Sequence, residues 1–243
     1  VNIDIHIPEF ERLKEGRWFG SLPAALQTLI LQRSIVRTYK RDETVFRQGE
    51  PCKGLSVVLT GRVRITRRVG DDDEALLHVA GPGFWLGEYA LLSGDPTLAT
   101  VVAAAPARVL VFPAVEFERL VAEDPRHFRT FAGLLFERYV YLHKYLAEGQ
   151  RLDPVAWLAV RLADMADVRR RDQHVIGPVT LSISQAELAK MVGVSRQTLN
   201  GLLGSLAARG LIEVGFQQVV VLDEAGLRQF SRGGPIASAA TRR

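Results

Sequence analysis

The chain has 243 residues, 47% of them hydrophobic and 24% charged, with one cysteine. That length predicts two unequal domains with room for a real core. No run approaches the roughly 18 apolar residues of a membrane span, and Cys52 alone builds neither an internal disulfide nor a site of several thiolates. Net charge is +4, with 20 basic against 19 acidic residues up to Leu152 and 11 against 8 beyond it. The C-terminal part is thus the more basic, a weak pointer to nucleic acid.

The opening VNIDIHIPEF has neither a basic n-region nor an apolar h-region, so a cytoplasmic protein is expected. From about Arg33 to Phe112 short β-rich runs alternate with turn residues. In 55–69 (LSVVLTGRVRITRRV), Val63 and Ile65 alternate with arginines around a break at Gly61. DDDE at 71–74 reads as a hairpin turn, 75–80 as a strand ended by GPG, and 98–104 and 108–112 as two more strands. Six or more short strands at this spacing predict a barrel or sandwich.

The pattern changes after Pro113. Residues 125–147 contain no interior proline, and Phe128, Phe131, Leu135, Leu142 and Tyr145 follow heptad-like steps interrupted by Arg138. Leu134, Val140, Tyr141 and Leu146 lie off that stripe. A helix apolar over several faces needs several partners, which predicts one face on the barrel and another, with Phe131, Leu135, Leu142 and Tyr145, on a second copy. The alternative is a helix lying wholly inside its own domain. EGQRL at 148–152 is the expected hinge, and Asp153-Pro154 starts a new helix as N-cap and first-turn residue. RRRDQ at 169–173 reads as a charged, solvated loop.

Ser184-Gln185-Ala186-Glu187 is a capping box, predicting a helix to about Met191. Gly193 permits a tight turn and Ser195 caps a second helix, whose apolar stripe is Leu199, Leu202, Leu203 and Leu206 and whose end is Gly210. LIEV (211–214) and QVVVL (218–222) form a hairpin around GFQ. That order is a winged helix-turn-helix. Off the apolar stripe the second helix carries Arg196, Gln197, Asn200, Gly201 and Gly204. Arg grips guanine O6 and N7, Gln or Asn matches adenine N6 and N7, and the hydroxyls of Ser195 and Thr198 suit the phosphate backbone. The competing reading is a small helical domain whose polar residues merely face water.

With these motifs the chain resembles the catabolite activator and fumarate–nitrate regulator (CRP/FNR) family of bacterial transcription factors over nearly its whole length. GEYALLSGDPTLATVVA at 87–103 is similar to the family's barrel motif, 125–147 to its dimer helix and GVSRQTLNGLL to its recognition helix. The resemblance implies an α+β chain. Its parts would be a cyclic-nucleotide-type β-barrel of the jelly-roll (double-stranded β-helix) kind with an N-terminal helical segment over 1–124, a dimerisation helix over 125–150, a winged helix-turn-helix over 151–232, and a disordered tail over 233–243. It also implies a homodimer on double-stranded operator DNA, with RNA polymerase as a further partner if the protein activates, and no membrane partner. Arg196 and Gln197 fall at base-contacting positions, Gln197 where the family usually has Glu. Gly201 falls where many members carry a second base-reading Arg. Either the bare face lets the helix sit closer to DNA, or the glycines are drift at tolerated positions.

The resemblance places the effector pocket at Gly87, Glu88, Thr97, Leu98, Leu142 and His143. Cyclic-nucleotide binders of the family use a barrel Glu for the ribose, an Arg-Ser pair for the phosphate and small polar residues on the long helix for the base. Here Glu88 remains, but Thr97 and Leu98 replace the Arg-Ser pair and Leu142 and His143 replace the hydroxyls. A buried phosphate would lack its charge-assisted partner, so cyclic AMP is not expected as the effector, and the cofactor stays unassigned. A four-cysteine iron–sulfur cluster is excluded by the single Cys52. Haem needs only one of His6, His78, His127, His143 or His174, which leaves a haem-based gas sensor of the same family as an alternative. Another is a cyclic-nucleotide-type regulatory protein acting on a protein partner, for which Arg196 and Gln197 have no use. No Ser/His/Asp order, metal-ligand cluster or phosphate loop supports an enzyme.

Overall fold

The N-terminal segment folds as three helices, α1 (Ile7–Glu15), α2 (Arg17–Gly20) and α3 (Ala24–Arg33), because Leu13, Trp18, Phe19, Leu26 and Ile30 need an apolar surface and find one on the sheet that follows. The computed structural model describes residues 7–70, 73–149, 152–173 and 177–233. His6, His174, residues 234–243 of the expected tail and parts of the 71–74 turn and the 148–152 hinge lie outside the described residues. The chain divides into two units, Val1–Tyr141 and Leu142–Arg243. Among the described residues no helix is long and apolar enough to cross a membrane.

In the first unit β1 (Ile35–Tyr39) and β2 (Thr44–Phe46) lead to the long β3 (Gly54–Val69). Next come β4 (Asp73–Ala80), β5 (Trp85–Leu86), the short helix α4 (Glu88–Ser93) and the long β6 (Thr100–Pro113). β3 and β6 run antiparallel and form the spine; β1 and β2 pair with opposite ends of β6, and β4 and β5 with opposite ends of β3. The result is one bent six-stranded sheet rolled over in jelly-roll manner, without the closure of a full barrel.

Two expected breaks are bends instead. Gly61 does not end β3: it takes a left-handed φ of 79°, and any Cβ there would run into the Pro106 carbonyl. The two runs expected at 98–104 and 108–112 are one strand, because Pro106, which has no N–H to pair, sits where the β3–β6 register shifts between Thr60 and Arg62. Asp73 and Glu74, expected in the turn, open β4; Glu74 accepts a hydrogen bond from the Thr66 hydroxyl at 2.5 Å.

The period-2 alternation of β3 separates two cores. Leu55, Val57 and Leu59 face the helices with Phe112 and Trp85, while Val58 and Val63 face the inside of the roll with Val101, Ala103 and Ala107. α5 (Ala114–Glu123) and α6 (Arg126–Gly149) close the first core. Phe131 of α6 stacks on Phe112 at 5.9 Å and meets Phe117 edge-on at 5.0 Å, and Trp18 donates its indole N–H to the Thr130 carbonyl at 2.9 Å.

The second unit opens with α7 (Pro154–Gln173), whose N-cap Asp153 accepts the Ala156 N–H at 2.8 Å. Then come β7 (Val179–Leu181), α8 (Gln185–Val192), α9 (Arg196–Ala207), β8 (Ile212–Gly215), β9 (Gln218–Val221) and α10 (Glu224–Ser231). RRRDQ is not a loop: α7 runs through it, since no glycine or proline interrupts before Gly177, and Arg170 is held by Glu224 of α10 at 3.4 Å and by the Gly177 carbonyl at 2.9 Å. α10 is clamped to α7 by Arg228, which lies 2.8 Å from Asp164. Strand β7 extends the predicted hairpin into a three-stranded sheet of order β7-β9-β8. Neither β7 nor α10 carries a period long enough to stand out in the sequence.

Candidate nucleic-acid interface and sensor pocket

The helix-turn-helix is built by caps. The Ser184 hydroxyl accepts the Glu187 N–H at 3.2 Å while the Glu187 carboxylate accepts the Ser184 N–H at 2.9 Å, so both halves of the capping box are made. Gly193, at φ 76°, closes α8, the left-handed conformation that a non-glycine residue resists. Ser195 then caps α9, its hydroxyl accepting the Thr198 N–H at 3.1 Å and lying 2.8 Å from the Thr198 hydroxyl.

On α9, Leu199, Leu203 and Leu206 are buried and Leu202 is half-buried, whereas Arg196, Gln197, Asn200, Gly201 and Gly204 are all exposed. α9 ends at Ala207, three residues before the Gly210 expected to end it, and Gly210 instead turns the chain at φ 69° toward β8. Among the described residues nothing pairs with Arg196, and a Cβ on Gly201 or Gly204 would meet nothing within 4 Å. One face of a well-capped helix therefore offers a free guanidinium and two amides beside bare backbone, with an N-terminus whose partial positive charge favours phosphate.

In the first unit Gly87 caps α4 and Glu88 begins it. Thr97 is buried, and its hydroxyl donates toward the carbonyls of Arg47 at 2.5 Å and Glu50 at 3.2 Å, while Leu98 beside it is exposed. Glu88 is already paired: Arg138 of α6 places Nε 3.4 Å from its carboxylate, donates to the Trp85 carbonyl at 2.9 Å and lies 3.8 Å over the Phe84 ring. The sequence showed Arg138 only as a break in an apolar stripe. That break was the signal, since a charge on the barrel-facing side of a helix needs a partner. Gly87 and Thr97 also border a cleft of about 290 Å³ with Arg37, Tyr39, Cys52 and Lys53. Burial pushes the Cys52 thiol above its ordinary pKa, against a smaller opposing effect of a hydrogen bond with the Gly54 backbone, so it lacks the character of a reactive thiolate.

The expected pocket partners Leu142 and His143 are exposed on α6, in the second unit. Of the histidines that haem might use, His78 lies in β4 with its ring 5.0 Å from Phe84, and His127 is half-buried in the first turn of α6. Among the described residues no three His, Cys, Asp or Glu side chains gather as metal ligands.

α6 is apolar on more than one face, but its heptad-like stripe does not form one of them. Phe131 is 2% exposed and Leu134 is buried with it in the first core, so Phe131 is unavailable to a second copy. The heptad count had merged the barrel-facing row with the outer one. Leu135 is half-buried, Leu142 is exposed, and the side chain of Tyr145 lies outside the described residues. The exposed apolar row is Phe136, 63% exposed, with Tyr139 and Leu146; with Ala132 and His143 it steps by four, three, four and three, the spacing of a coiled-coil seam.

Residues 36–124 match the family model of the cyclic nucleotide-binding domain and residues 156–230 that of the Crp-like helix-turn-helix domain. A CRP-like cAMP-activated global transcriptional regulator of Mycobacterium tuberculosis is 27% identical over 219 residues, 90% of this chain and 97% of that one. The solved structure of the c-di-GMP responsive global regulator CLP of Xanthomonas campestris has a TM-score of 0.64 at 26% identity, over 82% of this chain and 99% of its own. FixK2 of Bradyrhizobium japonicum has a TM-score of 0.70 at 20% identity, over 86% and 99%, a likeness of fold alone.

Proposed function

Because this chain belongs to the CRP/FNR family of transcription regulators, we propose that it is a homodimer that reads a pseudo-palindromic operator with α9 and does no catalysis. The observation that carries this reading is the exposed face of α9, where Arg196, Gln197 and Asn200 stand free on a helix fixed by the Ser195 cap. Ser195 and Thr198 contact phosphate at its N-terminus. Base reading narrows to the three longer side chains because Gly201 and Gly204 contribute only backbone.

The second copy covers the outer row of α6. Phe136, Tyr139 and Leu146 are large apolar groups that water does not favour, and burying such a side chain is worth roughly 1.5–3 kcal/mol. Leu142 extends the same contact. Cyclic AMP is not the expected effector: Thr97 spends its hydroxyl on backbone carbonyls and Glu88 is engaged by Arg138, so neither side chain is free to hold the nucleotide.

Selection of bound sequences from a random double-stranded pool tests the reading. The expected product is a two-fold symmetric site with half-sites centred about 10 bp apart. Failure of the full chain to enrich any sequence would overturn it.

A further inference from the structure

The wing carries an aromatic side chain that the fold does not use. Exposure rises along the hairpin, from Ile212 at 1% through Val214 at 41% to Phe216 at 90%, the most exposed large apolar side chain among the described residues. The hairpin thus outgrows the helices it packs on. Gly215 pairs with Gln218, leaving Phe216 and Gln217 as a two-residue loop, and Gln217 holds a φ of 52°. A tight hairpin ordinarily puts glycine or asparagine at a left-handed position. Here a glutamine is held there, and strain of this kind gathers at working sites. The loop is narrow: Gly215 has no side chain, and a Cβ on it would crowd Gln218 at 2.9 Å.

We propose that Phe216 is a wedge that enters the DNA minor groove beside each half-site and reads how easily the flanking base steps unstack. This rests on the DNA-reading role of α9. The chemistry selects the mode of contact. An uncharged ring neither neutralises phosphate nor reads a base edge by hydrogen bonds, but it can slip between base pairs or stack on an opened one. A single ring on a two-residue loop suits a groove only about 6 Å wide. Gln217 and Gln218 bring amides to the acceptors on that groove's floor. The one acid of the hairpin, Glu213, pairs with Val220 on the opposite face from Val214 and so stays off the inserted edge. Flexible pyrimidine–purine steps yield to such a wedge most readily, so they are the preferred flanks.

The test compares wild type, Phe216→Ala and Phe216→Trp on the selected operator with 2-aminopurine placed in turn at each flanking position. Wild type is expected to raise the fluorescence at one flanking step per half-site, Phe216→Trp to retain that rise, and Phe216→Ala to lose it. Affinity for flexible flanks should fall about tenfold with Phe216→Ala, while the preferred half-site core is unchanged. With so exposed a side chain, all three proteins should melt together. Fluorescence and flank preference identical in wild type and Phe216→Ala would overturn the wedge, as would an equal loss of affinity on every flank without a fluorescence change. Unchanged DNA binding with loss of polymerase-dependent transcription would overturn it in favour of a protein-docking tip. Absence of any sequence-specific binding by wild type would instead remove the α9 reading on which the wedge depends.

Discussion

On the proposed reading, Arg196 is the side chain on which base reading turns. If its guanidinium grips a guanine, Arg196→Ala should cost about 1–3 kcal/mol on the operator and relax preference at that one base pair, with a smaller loss on unrelated DNA. Gly201→Arg is the complementary change, and its side chain enters open space on α9. It should strengthen a preference at a neighbouring position of the half-site, measured by selection against the same pool. An unchanged profile for either variant would take that position out of base reading. In the sensor, calorimetry with cyclic AMP should show no micromolar dissociation constant, since Thr97 and Glu88 already have protein partners. Tight binding would mean that Arg138 leaves Glu88 to serve the ligand. At this scale cap and stripe made the exposed polar face of α9 legible in the sequence. The sequence marked Arg138 as a break in the stripe of α6 but hid its partner, because Glu88 lies far off in the chain.

Elements defined by short-range chemistry were legible almost to the residue. The capping box at Ser184 and the cap at Ser195 fixed where α8 and α9 begin, and the hairpin around residues 215–217 followed from two apolar runs and a glycine. Elements defined by tertiary contacts were not. β6 remains one strand across Pro106 because β3 shifts register to meet it, and α7 continues through RRRDQ with Arg170 anchored by α10. α6 shows the same limit: its apolar residues were visible, but which row faces inward depends on Phe112 and Phe117 around Phe131. The outer row leads to a definite expectation. The double variant Phe136→Glu, Tyr139→Glu should sediment as a monomer at concentrations where wild type is a dimer, and should lose operator binding with it. A dimeric double variant would place the two-fold contact elsewhere.

The whole chain combines a rolled sheet whose Glu88 is paired with Arg138, a long helix with an exposed apolar row, and a winged helix-turn-helix whose α9 carries an exposed polar face. The sheet, the long helix and the winged helix-turn-helix were expected in kind from the order of strand-rich, helical and capped segments; the pairing of Glu88 with Arg138 was not. The sheet rolls over without closing because β3 and β6 each take two short partners at opposite ends. On the proposed reading two copies of α9 bind DNA together, held at a fixed distance by two-fold symmetry. The most direct test is a spacing series: operator duplexes carrying the selected half-sites with their centres about one helical turn apart, or with roughly 5 or 10 bp inserted between them, titrated with wild-type protein. Tight binding is expected at the native spacing, with a collapse to single half-site affinity when half a turn is inserted, because one α9 then faces away from its groove. Equal affinity at every spacing would contradict this reading, since the helices would then be reading independently.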